Sequence, residues 1–253
     1  AVKLWMGVNW LKLNDDKTEF IVLGSPTNLK KVTTEYIVVG DHRINKSQHV
    51  RNIGATFDST MTMEAQLIKT SQTSWYHLFS ISKIRQYLTI EQIKSIIHAY
   101  VTSRLNQNNG LLIGAPATLM DKLQLVHNAA AKVILGGRKR DHVTHLLKEL
   151  HWLPLCHRRV FKLLLLGFKS LHGLRPNYFS EYLIPRTSER YDFRYENQLV
   201  VPRTRCTRYG DRAFSVAGPR EWNALPSDVR SCTTVPSFKT ALKTHFFNIM
   251  YKK

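Results

Sequence analysis

Apolar residues recur at strand spacing only near the start of the chain and at helical spacing through most of the rest. The run KTEFIVLG (17–24) is compact and ends in Gly-Ser-Pro, which predicts a buried strand followed by a turn. TEYIVVG (34–40) predicts a second strand, closed by a tight turn at Gly40-Asp41. In HVRNIGATFD (49–58), Val50, Asn52 and Gly54 alternate with Arg51, Ile53, Ala55 and Phe57, a third strand pattern. The opening AVKLWMGVNW reads as a helix already under way, with no N-cap signal, and the first residue is Ala1. We therefore expect a fragment of a longer chain whose residues 1–58 are a helix tail and a short antiparallel meander.

Beyond residue 58 the period lengthens. LTIEQIKSIIHAYVTSRL places Ile93, Ile96, Ile97, Tyr100, Val101 and Leu105 on one helical face, and Thr89 with Gln92 can form a capping box. ATLMDKLQLVHNAAAKVIL puts Leu119, Leu123, Val126, Ala130, Val133 and Ile134 in a second stripe, with Thr118 as N-cap and Gly136-Gly137 as the stop. DHVTHLLKEL predicts a short helix turning Val143, Leu146, Leu147 and Leu150 inward and broken by Leu153-Pro154. CHRRVFKLLLLGFKSLHG predicts a longer one ended by Gly173 and Pro176. Prolines and arginines punctuate residues 184–235, which read as a basic connector with at most short elements. There AGPREWNALP would be a Pro-started helix on which Trp222 and Leu225 pack. PSFKTALKTHFFNIMY closes the chain as an amphipathic helix with Phe238, Leu242, Phe246 and Ile249 on one face. The fold class expected is α+β: a short β meander (1–58), a mainly helical region (59–183), the connector (184–235) and a final helix (236–253).

Charge adds a direction to this outline. Lys and Arg number 37 against 18 Asp and Glu, a formal +19, and nearly all the excess lies after residue 45. Such a balance calls for a polyanion, nucleic acid first and an anionic membrane surface second. No apolar run is long enough to span a bilayer; VFKLLLLGFKSL is too short and is bounded by Lys162 and Lys169. The three cysteines, Cys156, Cys206 and Cys232, are scattered and form no CxxC, so neither a disulfide framework nor a zinc knuckle is written here.

Several groups invite chemical readings. Asp15-Asp16 looks like a polymerase metal pair, but such a pair needs rigid presentation on an apolar hairpin. Asn14 before it and Lys17-Thr18 after it read as a turn. A lysine fixed at the foot of a strand, as Lys17 would be, can offer charge or a proton to a phosphate; otherwise it is a solvated turn residue. His142, His145, His151 and His157 gather near Cys156, but their spacing fits no standard zinc set. GGRKRDH places Arg138, Lys139 and Arg140 after a flexible glycine pair, suited to phosphate contact, and Arg158 and Arg159 could extend that patch. In 186–212 arginines, Arg203 and Arg205 among them, alternate with Tyr191, Phe193, Tyr195 and Tyr209. They could neutralise phosphates and stack on bases, or pair with Glu189, Asp192, Glu196 and Asp211. The sequence contains no Ser/His/Asp triad signature, P-loop or GxGxxG.

These residues resemble a known family. NWLKLNDDKTEFIVLGS is similar to the segment that follows the catalytic carboxylates in reverse transcriptases of non-LTR (LINE) retrotransposons. VRNIGATFDSTMTMEAQLIKTSQTSWYHLFSISKIRQYLT resembles the primer-grip hairpin and first thumb helices, and the stretch from SRLNQNNGLL to SEYL the thumb of elements of the jockey and chicken-repeat group. VPRTRCTRYGDRAFSVAGPREWNALPSDVRS with SFKTALKTHFF resembles their C-terminal end. The resemblance implies a palm remnant, thumb and basic C-terminal region of an RNA-directed DNA polymerase, with RNA, DNA and the upstream palm and fingers as partners. It implies a nuclear and cytoplasmic location and no membrane partner. It implies that Asp15 and Asp16 are not the metal pair, that Lys17 assists pyrophosphate departure or positions the incoming nucleotide, and that Ile53, Gly54 and Phe57 belong to a hairpin steadying the primer. Magnesium is expected only in the intact polymerase, so no cofactor is assigned to this chain, and the chain alone is expected to be inactive. SRLNQNNGLL departs from the family's SRLDYCNSLL. A stand-alone nucleic-acid-binding protein derived from such an element, and a degenerate reading frame, are the alternatives.

Overall fold

The computed structural model describes residues 2–12, 14, 17–40, 42–138, 140–174, 177–186, 197–206 and 209–251. It is an α+β chain of two compact units, Ala1–Ile68 and Lys69–Lys253. The expected meander-then-helices order is present.

In the first unit, helix α1 (Val2–Val8) ends where Trp10 takes a left-handed φ of 57°. The Leu11 N–H then reaches back to the Met6 carbonyl at 2.8 Å. Helix α2 (Pro26–Leu29) is a single turn capped by the Ser25 hydroxyl. Strands β1 (Tyr36–Val39) and β2 (His42–Asn45) form one antiparallel hairpin, and β3 (His49–Asn52) and β4 (Ala55–Asp58) another. The single strand expected over 49–58 is thus two, because Ile53 and Gly54, with φ of 47° and 79°, reverse the chain between Asn52 and Ala55. Residues 49–58 are therefore an antiparallel hairpin. The strand expected over 17–24 is absent as a ladder. Phe20 alone bridges to Lys46, and the Gly24 N–H bonds to the Ser59 carbonyl at 3.0 Å, so the hairpins meet its backbone groups singly.

Asp58 anchors the exit from β4. Its carboxylate accepts from the Thr60 hydroxyl (2.7 Å), the Thr62 N–H (2.8 Å) and hydroxyl (2.9 Å) and the Met63 N–H (2.6 Å). Burial pushes this carboxyl up, but the hydrogen bonds outweigh burial and hold it below its ordinary value.

The second unit is helical. Helix α3 (Glu64–Ile84), in which the boundary between the units falls, is followed by a 3₁₀ turn (Arg85–Tyr87) and α4 (Ile90–Ile97), whose Thr89/Gln92 capping box is formed. The single helix expected to follow Thr89 is interrupted: a π turn (His98–Thr102) links α4 to α5 (Ser103–Asn106). That shift buries Ile93, Ile97, Val101 and Leu105 but leaves Tyr100 half exposed. After a 3₁₀ turn (Asn109–Leu112) comes α6 (Ala117–Leu135), capped from Pro116 rather than Thr118 because the helix already includes Ala117. Helix α6 ends at Gly136, as expected, and α8 (Leu155–Leu171) at Gly173. In both, a left-handed residue lets a later N–H reach a carbonyl five residues back. Helix α7 (Thr144–Glu149) uses the same motif with His151 in the left-handed position (φ 53°). Leu153-Pro154 therefore follows the stop rather than causing it.

The segment after Leu199 is more built than a connector. Helix α9 (Phe214–Asn223) begins at Phe214 and carries Pro219 inside it, because burial of Val216 and Ala217 draws the preceding turn into the helix. Helix α10 (Ser227–Arg230) and α11 (Val235–Tyr251) complete the unit. Leu164 and Phe168 of α8, Trp222 of α9, Val229 of α10 and Phe238, Leu242 and Phe246 of α11 form the main core with Leu153, Leu183, Leu199 and Leu225. Phe168 stacks on Phe238 at 4.3 Å. The Trp222 indole N–H reaches the Asn197 carbonyl at 2.7 Å. Ile249, expected on the inner face of α11, is half exposed.

Phe168→Ala, which empties the centre of that core, is expected to lower stability by about 3–5 kcal/mol in urea unfolding. Ile53 is a β-branched residue in a left-handed turn and is 90% exposed. Asn-Gly is the preferred pair for such a turn, so Ile53→Asn is expected to raise the thermal midpoint, with a gain of about 1 kcal/mol.

Candidate nucleic-acid interface

The basic side chains singled out in the sequence divide into two groups. Arg138 and Arg140 are exposed on the turn after α6, which closes through the Arg138 N–H to Asp141 carboxylate bond (2.6 Å). Lys139 lies outside the described residues. The turn is held from below by Arg85, whose guanidinium donates to the Val133 (2.6 Å) and Ile134 (3.5 Å) carbonyls and so neutralises the end of α6. A Cβ on Gly136 would come within 2.8 Å of that guanidinium. Arg203 and Arg205 are exposed in a segment outside helices and strands, and Asp211 bonds the Thr204 hydroxyl at 2.5 Å. The aromatic partners proposed for this segment at 191, 193 and 195, and the acids at 189, 192 and 196, lie outside the described residues.

Arg158 and Arg159 turn inward instead. Arg158 donates from Nε to the Leu153 carbonyl (2.8 Å) and from Nη1 to the Asn106 side chain (3.4 Å), and its guanidinium lies 5.5 Å from the Trp152 ring centroid. Burial lowers its pKa to about 10. Arg159 donates to the Leu112 carbonyl at 3.0 Å. The first turn of α8 thereby fastens the end of α5 and the following 3₁₀ turn to the loop before α8.

This fastening opens a cleft of about 260 Å³. Asn106 and Asn109 line it from one side, His151 and Leu153 from the α7–α8 turn, Arg158, Phe161 and Lys162 from α8, and Lys243 from α11. Lys162 could have been flagged in the sequence, since it stands four residues after Arg158 and shares its helix face. Lys243, Asn106 and Asn109 could not, because only packing brings them there.

In the first unit, Lys17 is exposed, and its backbone N–H is held by the Asn14 carbonyl and side chain, both at 3.2 Å. Asp15 and Asp16 lie outside the described residues. Ile53 and Gly54 form the hairpin tip, and Phe57 sits in its stem opposite Val50.

Two of the four clustered histidines, His151 and His157, and the separate His127 lie against aromatic rings. His151 packs on Phe247 (5.6 Å), His157 on Phe246 (5.2 Å) and His127 on Trp152 (4.9 Å). Among the described residues no group of three His, Cys, Asp or Glu side chains is placed to hold a metal. None of the described helices is long and apolar enough to cross a membrane. Compared with protein-family models, curated proteins and solved structures, the chain matches none.

His127 is the titratable residue the sequence hides, since it sits within an apolar stripe. It is fully buried on α6, and its Nδ1 lies 3.3 Å from the Gln124 amide nitrogen. The Gln124 side chain also accepts the Leu155 N–H at 2.9 Å, capping α8. Burial, and then the nearby Arg158 charge, lower the His127 pKa to about 3. The unfolded chain, with an ordinary value of 6.5, binds the proton first. Stability is thus full above pH 6.5 and falls as the pH drops toward 3, by about 1.4 kcal/mol per unit. Urea midpoints measured from pH 7.5 down to 4.5 should show this slope, and His127→Leu should remove most of it.

Proposed function

We propose that the chain is the duplex-gripping part of a LINE-type RNA-directed DNA polymerase, comprising the end of the palm, the thumb and the basic C-terminal region. The observation that carries the reading is unneutralised charge. The sequence holds a formal +19, and the ion pairs Lys46–Glu35 (3.2 Å), Lys94–Glu91 (2.8 Å) and Arg220–Glu221 (3.9 Å) are peripheral. Arg138, Arg140, Arg203 and Arg205 face solvent. A template–primer duplex or element RNA supplies the matching phosphates. The exposed Ile53 tip supports a primer-steadying role for the hairpin. The exposed Leu4, Trp5, Val8 and Trp10 of the α1 segment support packing against an upstream palm and fingers. Lys17 would serve nucleotide or pyrophosphate only beside a catalytic hairpin. The reading assigns magnesium to upstream aspartates and routes no chemical step through this chain. A nuclear and cytoplasmic location follows from the same reading.

Fluorescence anisotropy with an RNA–DNA hybrid tests it. Binding should weaken steeply between 50 and 200 mM salt, values chosen to span the steep range for phosphate contacts. Replacing Arg138, Arg140, Arg203 and Arg205 by alanine should lower the slope of log K against log salt by about 0.9 per contact removed. Salt-independent binding, or none at the lowest salt, would overturn the reading, as would primer extension by the isolated chain overturn its inactivity.

A further inference from the structure

The cleft between α5, α8 and α11 is lined by Arg158, Lys162, Lys243 and His151 with two asparagines, and among the described residues no carboxylate lines it. Two features mark it as built to receive a ligand. Asn109 is only 5% exposed, yet its amide nitrogen is buried with no hydrogen-bond partner among the described residues. Leaving such a donor unpaired is costly in a folded chain. Arg158 spends its Nε and one Nη1 proton on the protein, and no described residue accepts from its Nη2. Donors are thus on offer from separate elements: a planar guanidinium and an ammonium from α8, an ammonium from α11, an amide from the 3₁₀ turn. Leu153 and Phe161 form an apolar wall that strengthens charge interactions beside it. A tetrahedral oxyanion can use donors arriving from several directions; a planar carboxylate is satisfied by the guanidinium fork alone.

We propose that this cleft is a phosphate-binding site, and that its ligand is a phosphate of a bound nucleic-acid strand. The second clause rests on the function proposed above; the first does not. Arg158 and Asn109 form the floor, pre-organised by packing, and Lys162 and Lys243 are the exposed rim that admits and neutralises the anion. Backbone phosphate and free phosphate present the same oxygens, so the ligand's source is decided by experiment.

Titration calorimetry of the full chain with inorganic phosphate, in parallel with anisotropy on a short single-stranded RNA, tests both clauses. The expected result is saturable phosphate binding, weakened about tenfold by Lys162→Ala and by Lys243→Ala. Both lysines are exposed, so the thermal midpoint without ligand should be unchanged. Asn109→Asp, which places a carboxylate in the floor, should abolish phosphate binding, and phosphate should no longer raise the thermal midpoint of that variant. The same lysine substitutions should weaken RNA binding, and phosphate should compete with the RNA. Absence of saturable phosphate binding, or binding indifferent to both lysines, overturns the site. If RNA binding is salt-dependent but indifferent to the lysines and phosphate does not bind, the site falls and the nucleic-acid reading stands. If phosphate binds through the lysines and RNA does not bind at all, the site stands as one for free phosphate and the nucleic-acid reading falls.

Discussion

The second unit depends on one requirement: helix α8 is apolar around most of its circumference and must be covered on several sides. Leu155, Leu163, Leu164 and Phe168 are buried, and Val160, Phe161, Leu165 and Leu171 are partly so. A single partner helix shields one stripe, so α8 needs neighbours all round, and α6, α9 and α11 with the flanking 3₁₀ turns provide them. Gly167 is buried beside Leu183, which a Cβ there would meet at an ordinary contact distance of 4.0 Å. Because the body of α8 is committed to the core, its charged residues stand toward its ends, Arg158, Arg159 and Lys162 in the first half and Lys169 in the last turn. The cleft lies at the first of these ends.

The arginines show what the basic composition is used for. Arg85 bonds the carbonyls that end α6, Arg158 the Leu153 carbonyl and Arg159 the Leu112 carbonyl. Arg212 reaches Ile113 at 2.9 Å and lies so close that a Cβ on the left-handed Gly114 would overlap it. Each time a planar set of donors bonds carbonyls at a helix end or tight turn; the Leu112 carbonyl also accepts the Ala115 N–H at 3.0 Å. Part of the positive charge is therefore structural, and the formal +19 overstates the surface available to a polyanion. Arg138, Arg140, Arg203, Arg205, Lys162 and Lys243 belong to the other part.

What was legible in the residues was local. The Thr89/Gln92 capping box, the glycine stops at 136 and 173 and the buried positions Ile93, Ile97, Leu123, Val126 and Phe238 follow from contacts three or four residues apart. The misreadings also have local causes. Asn-Ile-Gly hides a turn because Ile is a poor residue there, and alternation continues across it. His151 ends α7 in a conformation glycine usually takes, so the sequence offers no stop signal. Pro219 reads as a helix start because proline favours first turns, yet burial of its neighbours extends the helix past it.

The sequence by itself determined the fold class, the order of elements and the sign of the net charge, because periodicity, capping and net charge are sums over neighbouring residues. Only the tertiary structure decided that Arg158 and Arg159 turn inward, that His127 is sealed against Trp152, and that Asn109, Arg158, Lys162 and Lys243 share one cleft. Those residues are separated by long stretches of chain. They meet because covering α8 brings α5, α6 and α11 together around its polar end, a packing outcome that no local pattern encodes.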